Sequence, residues 1–266
     1  MRKQHKKLIL TSIISACAFA SPQILAHSVF QTTTGEEGVK VYNNIAVGHG
    51  CENKDPTKAN LPVIATNMVL ANGQDSTILI DGTINTTAKA SDYLTNWPSA
   101  LVKNIPSTDI FKKQDAILYS AEGYKYTSYG EEVYFSVIGK TSLDGSIPGA
   151  FNTGLIPFVM TAPGIVTGSG NCAKTVIIEG AIADICKFTS TKGLTPHTAN
   201  LWMPSGTNSK FDSFALHGSG SPAKFTVTRK PANPLDASCG AGQVITIRPS
   251  ALQLNKDLPI KGRWAN

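Results

Sequence analysis

The segment Lys224-Phe225-Thr226-Val227-Thr228 decides the fold, because polar and apolar side chains alternate along it. This period of two residues is typical of a strand with one buried face. Val39-Lys40-Val41-Tyr42 alternates in the same way. Short runs rich in β-branched residues predict further strands over Ser76–Ile80, Glu132–Ile138, Thr175–Ile178 and Gln243–Ile247.

Turn dipeptides separate these runs, and sustained helical periodicity is nearly absent. The turn signals are Asn72-Gly73, Asp81-Gly82, Asp144-Gly145, Pro163-Gly164 and Ser205-Gly206. One short helix is predicted within Tyr93–Ile105. Many short strands joined by such turns indicate an all-β fold, an antiparallel β-sandwich enlarged by long loops. We expect one large domain over 27–266, with two β domains split near 142–154 as the alternative.

The first 26 residues have the pattern of a secretory signal peptide, with a basic start, an apolar stretch and a small residue at the end. The apolar stretch, Leu8–Ala20, is too short to span a bilayer, so we expect no membrane span after cleavage. Cleavage after Ala26 would make His27 the first residue of the exported chain.

Other processing sites remain open. The signal could also be cut after Ala16 or after Ala20. The segment Ile14-Ser15-Ala16-Cys17 resembles the lipid-attachment motif of a lipoprotein. The alternative location is therefore a membrane anchored through lipid at Cys17.

Removal of the signal peptide changes the charge of the chain. The full chain has 24 basic and 18 acidic residues. The signal contains four of the basic residues, so 20 basic and 18 acidic residues remain, a net charge of +2. No basic stripe is left, and we therefore expect no nucleic-acid partner.

Four cysteines remain after the signal: Cys51, Cys172, Cys186 and Cys239. An even number fits disulfides in an oxidising compartment, the periplasm, extracellular space or cell surface of a bacterium. Three pairings are possible. We favour Cys172–Cys186, which closes a short loop, and this leaves Cys51–Cys239 by exclusion.

Two histidines are the leading candidates for a metal site. An N-terminal His27 would offer both an α-amine and an imidazole, and copper(II) favours such nitrogen ligands. His49 lies between two glycines in Gly48-His49-Gly50-Cys51, where the backbone can turn sharply. His197 and His217 are weaker candidates. Three acidic residues near the leading histidines could complete the site: Glu36, Glu37 and Glu52.

The segment from Tyr42 through Gly48-His49-Gly50-Cys51-Glu52 to Pro56-Thr57, together with His27, resembles the start of the YcnI-like family, domain of unknown function 1775. The resemblance is clear over 27–72. It implies an exported bacterial protein with a cupredoxin-like or immunoglobulin-like sandwich and a copper ligand at His27. It also implies a carboxylate and a tryptophan close to the metal. Glu52 lies inside the motif, and Trp97 is favoured over Trp202.

We therefore expect an exported protein that binds, buffers or transfers copper by ligand exchange, without catalysis. A copper-transport or chaperone protein would be its partner. One alternative is a copper-dependent polysaccharide monooxygenase, in which His197 or His217 would be the second histidine ligand. A metal-free surface or adhesion module is the other. The sequence contains none of the Gly-x-Ser-x-Gly, His-Glu-x-x-His, phosphate-loop or Rossmann motifs.

Overall fold

The computed structural model describes residues 27–58, 60–61, 63, 65–71, 76–95, 154–168, 170–214 and 218–259, together with the backbone of short strands within 103–141. Strands dominate these residues, which confirms the all-β fold class. The proposed signal peptide, the segment 142–153, Trp97 and His217 lie outside the described residues. None of the described helices is long and apolar enough to cross a membrane.

The strands in chain order are β1 (Val29–Phe30), β2 (Thr34–Glu36), β3 (Lys40–Val47), β4 (Ala65–Leu70), β5 (Thr77–Ile80), β6 (Thr83–Asn85), β7 (Leu94–Thr95), β8 (Lys103–Asn104), β9 (Phe111–Gln114), β10 (Lys125–Tyr126), β11 (Glu132–Thr141), β12 (Gly154–Thr161), β13 (Gly164–Ile165), β14 (Ala173–Ile185), β15 (Ala199–Trp202), β16 (Ala223–Thr228) and β17 (Gln243–Arg248). One α-helix, α1 (Ala251–Asp257), follows the last strand in the described chain.

All six predicted strands are present. Most of the range Tyr93–Ile105, where one short helix is predicted, lies outside the described residues, so the helix stays a prediction. Within Tyr93–Ile105, the described residues form the short strands β7 and β8. Here β7 pairs with β13 and β8 pairs with β12.

Two sheets form a sandwich-like arrangement. The smaller sheet has the order β1-β3-β12-β8. The larger sheet follows the path β10-β11-β4-β14-β17-β5-β6, and β2, β9, β15 and β16 join it off this path. Most neighbours are antiparallel, whereas β14 with β17 and β2 with β16 are parallel. Phe30 and Phe158 of the smaller sheet belong to the same buried core as Phe225 of the larger sheet.

Strand β14 is the longest in the larger sheet and serves two sets of neighbours. Its first half pairs with β16 and β17, and its second half pairs with β4 and β15. Gly180 lies where the neighbours change. A Cβ atom at this position would lie 2.8 Å from Leu70 Cδ2, so a larger residue here would force the Leu70 side chain to shift.

The second half of β14 is covered on both faces, and the alternation of its side chains defines two cores. Ile182 and Trp202 face the smaller sheet. Ala183 and Leu201 face the other way, where Leu254 of α1 packs on them. The helix is also tied by polar contacts. Asn67 Nδ2, for example, donates to two carbonyl oxygens at its C-terminal end, those of Asp257 and Leu258.

The disulfides join Cys51 to Cys186 and Cys172 to Cys239, with Cα atoms 6.0 Å and 5.2 Å apart. The pairing predicted from loop length, Cys172–Cys186 and Cys51–Cys239, is therefore wrong. Cys172 and Cys186 flank the two ends of β14, and an extended strand of this length separates them by roughly 40 Å. A disulfide requires Cα atoms within about 7 Å. Two disulfides indicate an oxidising compartment.

Candidate metal centre

The register of β4, β14 and β15 places three polar side chains in one row. Asp184 lies opposite Thr66 on one side and opposite Asn200 on the other. Residues directly opposite one another on adjacent strands share a face of the sheet, and residues two apart on one strand do too. Trp202 therefore lies on the same face as Asn200. All four side chains are buried, so a polar row is enclosed within the sandwich.

The Asp184 carboxylate is the centre of this row. Its Oδ2 accepts hydrogen bonds from Ser28 Oγ at 2.5 Å and Trp202 Nε1 at 2.8 Å, and its Oδ1 accepts one from Thr66 Oγ1 at 2.8 Å. These donors allow a carboxylate to lie in an otherwise apolar interior. We call Ser28, Thr66, Asp184, Asn200 and Trp202 the Asp184 cluster.

Burial is the dominant influence on the acidity of Asp184. It raises the pKa of the carboxyl above its usual value, because removal from water disfavours the charged form. The three hydrogen bonds, followed by the charge of His49, act in the opposite direction and only in part offset this effect.

Both leading histidines contact the indole of Trp202. The His27 ring centroid lies 4.9 Å from the indole with the planes tilted by 37°, and the His49 centroid lies 5.8 Å away in an edge arrangement at 80°. His27 is exposed, whereas Trp202 is 1% exposed. The structure thus brings together the two histidines that the sequence singled out, with an indole as their common support.

A glycine fixes the indole from another direction. A Cβ atom at Gly218 would lie 2.4 Å from Trp202 Cε3 and 2.5 Å from the Leu201 carbonyl oxygen. The backbone at this position also has a φ of +94°, which L side chains rarely adopt. Both the lack of space and the positive φ therefore favour glycine at position 218. Because glycine has no side chain, its backbone can pack directly against the Trp202 ring.

One hydrogen bond of His49 identifies the ring nitrogen that carries its hydrogen. Its Nδ1 lies 2.5 Å from the Gly50 carbonyl oxygen. A carbonyl oxygen only accepts, so Nδ1 carries the hydrogen, and in the neutral ring Nε2 keeps the lone pair that could bind a metal. Asn200 Nδ2 donates to the same carbonyl at 3.3 Å. Within the described part of the chain, Asn200 Oδ1 is buried without a hydrogen-bond partner.

The Cys51–Cys186 disulfide joins the two segments that carry these residues. His49 precedes Cys51 by two positions, and Asp184 precedes Cys186 by two positions. The Cys51 N–H also donates to Cys186 Sγ at 3.0 Å. The loop that presents His49 is therefore fixed covalently to the end of the strand that presents Asp184.

The acidic candidates named from the sequence have different surroundings. Glu52 is exposed, and its backbone pairs with the turn that carries His197: its N–H donates to Pro196, and its carbonyl accepts from His197 Nδ1 at 3.0 Å. His197 therefore lies against the Glu52 backbone, whereas the two leading histidines contact Trp202. The role of Glu52 in binding metal stays a prediction.

Glu37 has a structural role. It is 4% exposed, and its carboxylate accepts from the backbone N–H groups of Ile165 and Lys230 and from Asn233 Nδ2. These contacts satisfy both oxygens at the junction of β2, β13 and the end of β16. Its neighbour Glu36 is exposed at the end of β2.

A metal ion would find an incomplete set of side chains here. Among the residues that the structure describes, no three or more His, Cys, Asp or Glu residues lie together so that they could hold a metal ion. His27 and His49 supply two imidazoles, and cleavage before His27 would add its α-amine. A set of nitrogen donors fits copper, whereas the hydrogen-bonded Asp184 is already engaged with protein donors.

Two of the residues in this region were missed or ranked low from sequence. Asp184 was not singled out, although a lone charge within Ala181-Ile182-Ala183-Asp184-Ile185 is a signal that could have found it, because charged residues are rarely buried without a partner. Trp202 was ranked below Trp97, and Trp97 and His217 lie outside the described residues.

No protein-family model and no curated protein matches this chain. The resemblance to the YcnI-like family over 27–72 therefore stays a prediction, carried by the motif and by the residues described above.

Proposed function

We propose that this is an exported protein that binds copper as a cargo through His27 and His49. One observation carries the proposal: the rings of both histidines contact the indole of Trp202, which is hydrogen-bonded to the buried carboxylate of Asp184. The packing of a β-sandwich does not by itself require two imidazole rings against one indole at the edge of a buried polar cluster.

The chemistry of the donors supports copper. Because Nδ1 of His49 donates to the Gly50 carbonyl, Nε2 is the nitrogen that carries the lone pair in the neutral ring, and an N-terminal His27 would add an imidazole and an amine. Nitrogen donors of this kind suit copper(II). They must be deprotonated to bind, so copper affinity is expected to fall at low pH.

Exposure of His27 supports transfer by ligand exchange, since an incoming ligand can reach a metal held at the surface. We infer a copper-transport or chaperone protein as the partner, and no catalytic step. The two disulfides fit the periplasm or cell surface as the place of action, and the pattern of residues 1–26 fits export.

The proposal is tested by determining the N-terminus of the exported protein and titrating it with copper(II). A matched control chain carries one extra alanine before His27, which keeps the imidazole but moves the α-amine away from it. We expect the exported chain to begin at His27, to bind one copper ion and to bind it more tightly than the extended chain.

Other results would exclude this account. An exported chain that begins at Ser21 or carries lipid at Cys17 would have no amine at His27. Oxygen-dependent oxidation of chitin or cellulose by the copper-loaded protein would identify a monooxygenase. Absence of copper binding would leave a metal-free surface module.

A further inference from the structure

Ser28 links the exposed end of β1 to the buried interior. His27 is exposed, but the next residue, Ser28, is 1% exposed and donates its hydroxyl hydrogen to Asp184 Oδ2. The first residues of a chain are mobile unless something ties them down. The hydrogen bond from Ser28 is therefore a tether directly beside the proposed metal ligand.

The same carboxylate oxygen also holds the ring on which His27 lies. Trp202 Nε1 donates to Asp184 Oδ2, and the His27 ring lies 4.9 Å from the indole. One atom thus connects the backbone next to His27 with the surface that supports its side chain. The other oxygen, Oδ1, accepts a hydrogen bond from Thr66 Oγ1. Thr66 lies on β4, which pairs with β14 on the side opposite to β15.

We propose that Asp184 is a positioning residue for the metal site, acting through Ser28 and Trp202 without touching the metal. This inference rests on the proposed function. By holding both the backbone and the support of His27, Asp184 orders the imidazole and the amine before the cation arrives. A ligand that is ordered in advance loses less entropy on binding, and supporting contacts of this kind also orient the donor atoms.

The test uses the mature chain and copper(II) alone. Ser28→Ala removes the tether, and we expect copper affinity to fall by about tenfold to a hundredfold, as for the loss of contacts that support a metal ligand. The copper electron paramagnetic resonance spectrum should change as well, because the donor geometry is less fixed. Ser28→Thr keeps the hydroxyl and should restore both the affinity and the spectrum.

Ser209→Ala is the matched control. It makes the same substitution at another buried serine whose hydroxyl donates to an aspartate, Asp212 Oδ1 at 2.9 Å, outside the Asp184 cluster. It is expected to lower thermal stability while leaving the copper dissociation constant within about twofold of wild type and the spectrum unchanged, as for a site that shares no partner with the cluster.

A double-mutant cycle separates tethering from general packing. If Ser28 acts through Asp184, the Ser28→Ala/Asp184→Asn protein should bind copper no more weakly than the Asp184→Asn protein. If Asp184→Asn does not fold, the Ser28 variants by themselves test the proposal. They are expected to fold because they change a residue next to the end of the mature chain.

Three results would overturn the positioning role: wild-type affinity and spectrum in Ser28→Ala, failure of Ser28→Thr to restore them, or an equal loss in Ser209→Ala. The role of His27 itself is tested separately with His27→Ala. Loss of binding in His27→Ala with normal binding in Ser28→Ala contradicts only the positioning role. Normal binding in His27→Ala contradicts the proposed function.

Discussion

Trp202 Nε1 donates a 2.8 Å hydrogen bond to Asp184 Oδ2. This hydrogen bond links the indole that contacts both histidine rings to a buried carboxylate. The two residues lie on neighbouring strands, β15 and β14, and face the same interior. The indole therefore has a fixed orientation, set by one polar contact and by the close approach of Gly218.

Trp202→Phe is expected to lower the free energy of unfolding by about 1–3 kcal/mol, because it removes an N–H donor from a buried acceptor while it keeps an aromatic ring. Urea unfolding followed by circular dichroism measures this. The Asp184→Asn/Trp202→Phe protein should be less destabilised than the two single effects combined. Strict additivity would show that the hydrogen bond contributes nothing.

Asp184 should make the stability of the copper-free protein depend on pH. Burial raises the pKa of this carboxyl above the usual 3.8, so the folded protein retains a proton that the unfolded chain has lost. The contribution of Asp184 to the stability of the folded protein is then fully present below the ordinary pKa of the carboxyl, and it is lost as the pH rises toward the pKa in the folded protein. We expect the stability of wild type relative to Asp184→Asn to decrease as the pH is raised from about 4, in urea unfolding with a chelator present. A difference that grows with pH would contradict this.

The two disulfides should differ in their effect on copper binding. Replacing Cys51 and Cys186 together by alanine removes a link across 135 residues, and loop-closure entropy predicts a loss of about 5 kcal/mol of stability. It also releases the loop that carries His49, so copper affinity should fall by about tenfold or more at a temperature where the protein is folded.

The Cys172–Cys239 bond provides the control for this prediction, because it lies beyond the other end of β14. Its removal should cost about 4 kcal/mol of stability. Copper affinity should nevertheless be unchanged. An equal loss of affinity in both double variants would mean that the Cys51–Cys186 bond has no specific role at the site.

Gly218→Ala is expected to displace the Trp202 ring. The new Cβ atom would overlap Trp202 Cε3, and the positive φ adds backbone strain, so we expect a loss of about 1–3 kcal/mol in thermal or urea unfolding, together with weaker copper binding. Gly206→Ala is the control, since Gly206 also has a positive φ, of +64°, but nothing lies within 4 Å of its Cβ position. Equal effects in the two variants would show that contact with the indole is unimportant.

The strands were predictable because the signal for each is local. Lys224-Phe225-Thr226-Val227-Thr228 alternates within five residues, and it forms most of β16 with inward-facing Phe225 and Val227 buried. No partner strand is needed to read such a pattern. Strands β7 and β8 were missed for the opposite reason: each has only two residues, and each depends on pairing with a distant strand.

The site was predictable only in part. His27 and His49 could be found from a cleavage pattern and a short motif. The choice of Trp202 and the presence of Asp184 depend on the register between β4, β14 and β15, which brings residues 118 and 18 positions from Asp184 into contact with it. The disulfide pairing failed because the predicted strand at Thr175–Ile178 is part of one 13-residue strand, which holds Cys172 and Cys186 apart.

The most direct test of the account is the copper(II) dissociation constant of the exported chain, compared between wild type, His27→Ala and His197→Ala. His197 is the matched control, since it is a histidine bonded to the Glu52 backbone. The account predicts that His27→Ala weakens copper binding by at least about a hundredfold, equivalent to about 2.7 kcal/mol, while His197→Ala binds like wild type. Equal affinity in wild type and His27→Ala would contradict the central claim.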